Sequence, residues 1–452
     1  MATLPTFGEA FRVWAYIGCI NFGGPAGQIA MMHKMLVDEK KWISDARYFH
    51  ALNYCMLLPG PEAQQLATYV GWLMHGVRGG LAAGLMFILP GALVMLGLSV
   101  LYVLYADVPL VEDLFFGIKA AVLAIVIEAI LRISRRAFTG PVMTIIAAAA
   151  FVALFVFNVA FPLVVLFAAL AGFVGAYLAP SQFRAHGHAS TAAAAGQGFA
   201  VDAALDAGLL AHTRTTLGKT FSTILTWLAI WLLPVGALLL LLGPENVFVV
   251  MATFFSKMSV VTFGGAYAVL AYVAQEAVTT YQWLTAPEML DGLALAETTP
   301  GPLILVLQHV GFLAGYRQAG FDPLLAGILG ASITLWVTFA PSFLWIFAGA
   351  PYAERLRENR VLSGALAAIT AAVVGVILNL AIWFALHVLF AKVDIVQSGA
   401  IQLHVPDPTT LNAGALLLTV LAAVTLMGLR VPVPVLLILS AAGGLLIRGS
   451  GF

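Results

Sequence analysis

Two proline-glycine-proline interruptions lie inside apolar stretches, Leu58-Pro59-Gly60-Pro61-Glu62 and Thr299-Pro300-Gly301-Pro302-Leu303, and they restrict the possible folds more than any other feature of the chain. Proline supplies no backbone N–H and glycine weakens a helix, so each interruption leaves backbone polar groups without intrahelical partners. The stretches around them are apolar enough to be membrane spans: of 452 residues 62% are hydrophobic and 9% charged, against roughly 25% charged in soluble domains. Lipid cannot satisfy freed N–H and C=O groups, so each break must face protein or a water-filled cavity. The expectation is an all-α polytopic membrane protein whose broken helices line a binding site.

A span needs about 20 mainly apolar residues. By that measure spans fall near 11–31, 50–74, 80–105, 115–134, 141–158, 161–179, 221–243, 247–273, 289–316, 322–349, 362–390, 411–428 and 432–448, about 13 transmembrane helices. The polar segment from Pro180 to Lys219 reads as a flexible linker, with a short helix possible within Ala193 to Leu210. Lys and Arg favour the N-terminal side of the membrane, which predicts a cytoplasmic N-terminus and an external C-terminus. The loop from His33 to Arg47 is the exception, carrying Lys34, Lys40, Lys41 and Arg47. Either the first span is re-entrant, or those cations draw an anion to the mouth. The start of the chain, with acidic Glu9 and no basic stretch, does not resemble a removable signal peptide.

Basic and acidic residues balance at 21 each, so no nucleic-acid footprint is visible. Cys19 and Cys55 have no C-x-x-C spacing, and the nine histidines show no ligand spacing within spans. No metal or cofactor is expected, and an enzyme such as an oxyanion reductase is disfavoured.

The chain repeats itself. Phe22-Gly23-Gly24, Trp42-Ile43-Ser44 and Pro59-Gly60-Pro61 return 241 residues later as Phe263-Gly264-Gly265, Trp283-Leu284-Thr285 and Pro300-Gly301-Pro302. Three anchors at one offset indicate duplication. The domain reading is a first copy at 1–179, a linker with a connecting helix at 180–246, and a second copy at 247–452. Six spans and one connecting helix precede the second copy, which predicts an inverted-topology repeat. Paired helix breaks in inverted repeats mark transporter sites near the midplane.

A half-helix that begins after a break offers free N–H groups and the positive end of its dipole, which suits an anion. The candidate substrate-binding residues are therefore Gly23, Gly24, Pro59, Gly60, Pro61, Gln64, Gly264, Gly265, Pro300, Gly301, Pro302 and Gln308. Glu62, Glu297, Lys257 and Arg78 are candidates for coupling or gating, because ionisable residues in spans are costly to bury. Ser44 and Thr285 read as helix N-caps, with Glu288 completing a capping box at Thr285. Glu128 and Arg132 read as an i,i+4 pair, and Asn379 as an interhelical hydrogen bond.

With Phe-Gly-Gly-Pro, Trp-Ile-Ser and Pro-Gly-Pro aligned to a second copy, the sequence resembles the chromate ion transporter family, in particular its long two-domain members. The second copy departs from the pattern by Ala266 in place of Pro25, so the halves are not expected to contribute equally. The resemblance implies a secondary transporter in the inner membrane that exports chromate and confers chromate resistance, driven by membrane potential or a proton gradient. Sulfate, an oxyanion of the same shape, remains an alternative substrate for uptake or exchange, and a passive anion channel an alternative mode.

Overall fold

The computed structural model describes residues 4–22, 24–106, 108–180, 182–183, 199–213, 216–261, 263, 266–353, 360–399 and 401–449. Gly23, Gly264 and Gly265, three of the glycines assigned to the site, lie outside the described residues. The protein is all-α, and the strands among its described residues form one hairpin, β1 (Val393–Ser398) antiparallel to β2 (Ile401–Pro406). Among the described residues, six helices are long and apolar enough to cross a membrane, and four more are apolar but shorter.

The spans inferred from apolarity differ from the helices because a 20-residue window averages across a glycine break. The stretch 11–31 is two helices, α1 (Phe7–Ile20) and α2 (Gly24–His33), parted where Gly24 takes φ +67°. The stretch 50–74 is α3 (Asp45–Cys55) and the start of α4 (Glu62–Tyr105), parted by the first Pro-Gly-Pro. α4 itself folds back at His75 and Gly76, where the backbone leaves the helical region. Gly71 and Gly79 touch backbone to backbone across that bend, leaving no room for a Cβ on either. In the second half α10 (Val247–Val261) and α11 (Ala266–Gln275) replace one span. α12 (Ala286–Thr298) and α13 (Val306–Gln318) replace another, parted by the second Pro-Gly-Pro.

Ten-residue α2 and α11 reach about 15 Å at 1.5 Å per residue, half the hydrocarbon thickness. Each ends in a π-helical turn, Lys34–Glu39 and Glu276–Thr280, and then in a residue of positive φ, Lys41 and Gln282. The same local conformations thus return 241 residues apart.

The chain forms two compact units, each with segments from both halves of the sequence. The first comprises residues 1–96, 186–266 and 299–360. In it α9 (Leu217–Leu242), α10, α13 and α14 (Pro323–Gly349) pack together. Small residues let backbones approach, as in other membrane helix pairs: Gly311 lies against Gly330 and Thr334, and Gly315 against Ala326. Trp227 of α9 stacks on Phe343 of α14 at 5.5 Å between centroids.

Part of the segment read as a flexible linker is docked in this unit. α8 (Ala200–Asp206) bonds to the loop before α3 through Ala200 N–H to Lys41 O and Val201 N–H to Trp42 O. Buried Asp202 accepts from Ser44 N–H and Oγ, both at 3.0 Å, and from Arg47 Nε at 2.9 Å. The linker's other residues within 184–198 lie outside the description.

The second unit comprises residues 97–185, 267–298 and 361–452. In it α5 (Pro109–Ala137) packs on α12 and on the two C-terminal helices, α16 (Ala413–Ala423) and α17 (Val433–Gly449). Gly117 of α5 meets the Ser440 backbone of α17, and Arg448 bonds Glu112 at 2.8 Å. α6 (Pro141–Phe155) and α7 (Phe161–Leu178) lie against α15 (Arg360–Leu389) through Gly375 on Ala147 and Gly172 on Gly364.

Candidate functional site

Within the first unit both Pro-Gly-Pro breaks border one small pocket of about 20 Å³. Its lining is Pro25 and Gln28 from α2, Pro61, Glu62 and Ala63 from the start of α4, Ala266 from the start of α11, and Pro302, Leu303 and Ile304 from the turn leading into α13. Two helices therefore begin at the pocket, α4 directly and α13 through a 3-10 turn at Leu303–Leu305. The opening N–H groups of a helix have no intrahelical acceptor and carry the positive end of its dipole. Pro61 sits where a helix best tolerates proline.

The breaks need glycine. Gly60 has φ +118° and Gly301 φ +101°, left-handed values that other residues rarely adopt. A Cβ on Gly60 would fall 2.8 Å from Gln65 Nε2 and 3.0 Å from Ser342 Oγ, and one on Gly301 would fall 2.8 Å from a Leu305 methyl.

Their freed carbonyls are satisfied differently. At the first break Gln65 Nε2 donates to Pro59 O at 2.7 Å, and Gln65 N–H to Pro61 O at 3.0 Å. At the second break the partners come from the first half of the chain. Gly301 N–H donates to Asn21 Oδ1 at 2.5 Å, and Gln28 Nε2 donates to Gly301 O at 2.5 Å and to Asn21 O at 2.9 Å. Asn21 and Gln28 are 0% and 1% exposed, so these bonds are shielded from water. Neither residue was among the sequence candidates. Only the 3.6-residue geometry that sets Gln28 at α2's second turn, beside the breaks, could have hinted at it.

Of the candidates, Pro61, Glu62 and Pro302 line the pocket; Gly60 and Gly301 shape its edge, and Gly24 opens α2. Pro59 is half-buried, Pro300 buried, and Pro300 O presses on Gly91. Gln64 and Gln308 are buried but engaged outside the lining, Gln64 with Thr68 Oγ1 at 3.0 Å and Gln308 with Ala92 O at 3.0 Å. Arg78 and Lys257 are exposed and do not line the pocket. Glu297 belongs to the second unit, 6% exposed, where it accepts from Tyr267 OH at 2.8 Å. The caps stand as read: Thr285 N–H donates to Glu288 Oε2 at 2.8 Å, and Ser44 Oγ accepts from Arg47 N–H at 3.4 Å. Glu128 and Arg132 are 3.7 Å apart.

The second unit holds a buried ion pair not anticipated from the sequence. Asp291 is 5% exposed, with Lys119 Nζ at 3.2 Å and Tyr102 OH donating at 2.9 Å. It also holds a larger cavity of about 140 Å³, bordered by Asn158, Gln275, Asn379, Trp383, Gln402 and His404. Asn379, read as an interhelical hydrogen bond, lines this cavity. Burial, and then the neighbouring His387, lower the proton affinity of His404. Among the described residues its lining includes no lysine, no arginine and no helix start, whereas two helices begin at the smaller pocket. Among the described residues no group of three or more His, Cys, Asp or Glu could hold a metal ion.

A family model described as "Chromate transporter" matches residues 8–173 and 249–446. The chain belongs to the chromate transporter family. It is a multi-pass membrane transporter rather than an enzyme. Among similar proteins, the chromate transport protein of Pseudomonas aeruginosa is 31% identical over 82% of this chain and 79% of its own length. The chromate transport protein of Cupriavidus metallidurans is 26% identical over 83% and 82%. A probable chromate transport protein of Synechococcus elongatus is 24% identical over 95% and 93%. No solved structure matches the chain.

Proposed function

We propose that this transporter carries a tetrahedral oxyanion, chromate, out of the cell by alternating access, and that the pocket between the two helix starts receives it. The observation that carries the reading is the meeting of Pro61–Ala63 and Pro302–Ile304 in one lining. Two helix starts present N–H donors and positive dipole ends to one small volume whose described lining has no lysine or arginine. The family and the names of its relatives supply the substrate, and sulfate, with the same shape and charge, is its competitor.

The two sequence copies, 1–179 and 247–452, act as inverted repeats joined through 180–246. The repeated π-helical turns and the paired positive-φ residues support that reading, as do the two separate blocks of the family match. The protein resides in the inner membrane, N-terminus cytoplasmic and C-terminus external, and confers chromate resistance. Direction follows from charge: one charge crossing 100 mV is worth about 2.3 kcal/mol, so a dianion leaving an interior-negative cell gains about 4.6 kcal/mol.

The test is potential-driven uptake of labelled chromate into proteoliposomes, wild type against a Gly60→Ala, Gly301→Ala double variant. Wild type accumulates chromate, unlabelled chromate on the far side accelerates the exchange, and the double variant stays at background. No labelled oxyanion moving under an imposed potential would sink the reading; flux without saturation or exchange would make the protein a channel.

A further inference from the structure

Gln28 carries the chemistry that the helix starts leave out. Its Nε2 faces two backbone carbonyls, Asn21 O and Gly301 O, and carbonyls can only accept. The orientation of the amide is therefore fixed, with nitrogen toward the carbonyls. Oε1 is left buried with no hydrogen-bond partner, on a side chain that is 1% exposed and lines the pocket. A fully ionised tetrahedral oxyanion offers acceptors alone. It suits the helix starts but cannot satisfy Gln28 Oε1, and a buried acceptor without a donor is costly. Glu62, on the same lining, adds a second negative group beside the bound anion unless a proton intervenes. Among the described residues the lining holds no lysine, arginine or histidine, and Glu62 lies within electrostatic reach of the buried Cys55 thiol on α3.

We infer that the pocket binds its oxyanion together with one proton, carried on an O–H that donates to Gln28 Oε1. This rests on the oxyanion reading of the pocket. The O–H has two sources: the acid hydroxyl of a hydrogen-oxyanion, with Glu62 ionised, or the Glu62 carboxyl, with the oxyanion fully ionised. Both place the same total charge in the pocket. They differ in what they select. Hydrogen chromate is a weak acid and well populated near neutrality, whereas hydrogen selenate and hydrogen sulfate are strong acids and are nearly absent there. A proton required on the ligand discriminates chromate from selenate, an ion of similar size; a proton held by Glu62 does not. The duplication places Val269 opposite Gln28 and Leu303 opposite Glu62, so the proton chemistry belongs to the first copy alone.

The experiment is calorimetric titration of the full-length protein in nanodiscs with chromate and with selenate. Buffers of different ionisation heat are used on both sides of neutrality, for wild type and Glu62→Gln. Wild type takes up one proton per chromate on the alkaline side, and affinity falls about tenfold per pH unit there. If Glu62→Gln keeps that uptake and selenate binds at least about tenfold more weakly than chromate, the proton rides on the ligand. If Glu62→Gln abolishes the uptake and both ions bind alike, it resides on Glu62. Chromate binding by wild type with no proton uptake and no pH dependence overturns the inference while leaving the oxyanion site standing. No binding of either ion at any pH overturns the site itself, and the inference with it. Gln28→Met, which removes the acceptor at similar volume, is expected to uncouple binding from protons, but the wild-type measurement decides without it.

Discussion

Gly301 is the residue on which the site geometry most depends. Its φ of +101° and the Leu305 methyl 2.8 Å from where a Cβ would stand oppose any side chain. Left-handed backbone costs a non-glycine residue about 1–2 kcal/mol. Gly301→Ala is therefore expected to leave helical content unchanged by circular dichroism but to drop chromate uptake to background. Gly236→Ala, in α9 with nothing within 4 Å of its Cβ position, is the matched control and should transport normally. The buried pair in the second unit behaves differently. Removing one partner of such a pair costs about 3–5 kcal/mol, whereas replacing both with apolar groups is close to neutral. Lys119→Met alone should thus lower the unfolding temperature of the solubilised protein strongly, and Asp291→Leu added to it should restore much of the loss. A double variant destabilised by the sum of the two single changes would show that the two charges act independently. The glycine breaks were legible in the sequence because their chemistry is local. Gln28 and Asp291 were not, because each owes its role to a partner far along the chain, Gly301 and Lys119, that no spacing reveals.

At the scale of elements, the starts of α3 and α12 solve one problem in two ways. Thr285 begins α12 with its backbone N–H bonded to Glu288, a capping box within the helix. The equivalent start at Ser44 has Arg47 in the place of Glu288, and Asp202 from α8 supplies the missing carboxylate. The linker is thereby latched to the helix that leads into the first Pro-Gly-Pro. Arg47→Glu should restore an internal box at Ser44 and repel Asp202, releasing α8. The expected outcome is faster tryptic cleavage between α7 and α9 with little change in thermal stability. Asp202→Ala should loosen the linker equally and also cost about 1 kcal/mol through the lost cap; a linker that stays resistant in Arg47→Glu would remove the latch from the account. Composition alone reads this segment as flexible, since its Ala, Gly, Ser and Thr residues carry no periodic apolar face; buried Asp202 and the backbone bonds of Ala200 and Val201 hold α8 in place. The spans misjudged by length share a related cause, because hydropathy registers side chains and is blind to the backbone at Gly24 or Gly60.

Across the whole molecule, duplication and insertion can be told apart by offsets. The first elements return after 241 residues, as Gly60 and Gly301 do, whereas Asn158 and Arg430, both of positive φ before a C-terminal helix, are 272 apart. Part of the change is already present at α5 and α15, which end 389 − 137 = 252 residues apart, and the larger part comes between α15 and α16, separated by residues 390–412 with the hairpin, where α5 and α6 are separated by 138–140 alone. The hairpin has no counterpart between α5 and α6, and Gln402 N–H bonds it to Val156 O at 2.8 Å. Inversion makes a stronger demand than duplication: equivalent residues must face opposite sides of the membrane. Lys41 and Gln282 are the suitable pair, both exposed, both of positive φ and 241 residues apart. In a background with Cys19 and Cys55 replaced by serine or alanine, Lys41→Cys and Gln282→Cys would each be labelled with a membrane-impermeant maleimide in right-side-out and in inside-out vesicles. A cysteine at positive φ costs about 1 kcal/mol, which a folded helix turn tolerates. Inverted repeats require each cysteine to react from one side alone, and the two sides to differ. Labelling of both from the same side would mean that the copies are parallel, and the pocket would then be built by two helix starts entering from one face rather than from opposite faces of the membrane.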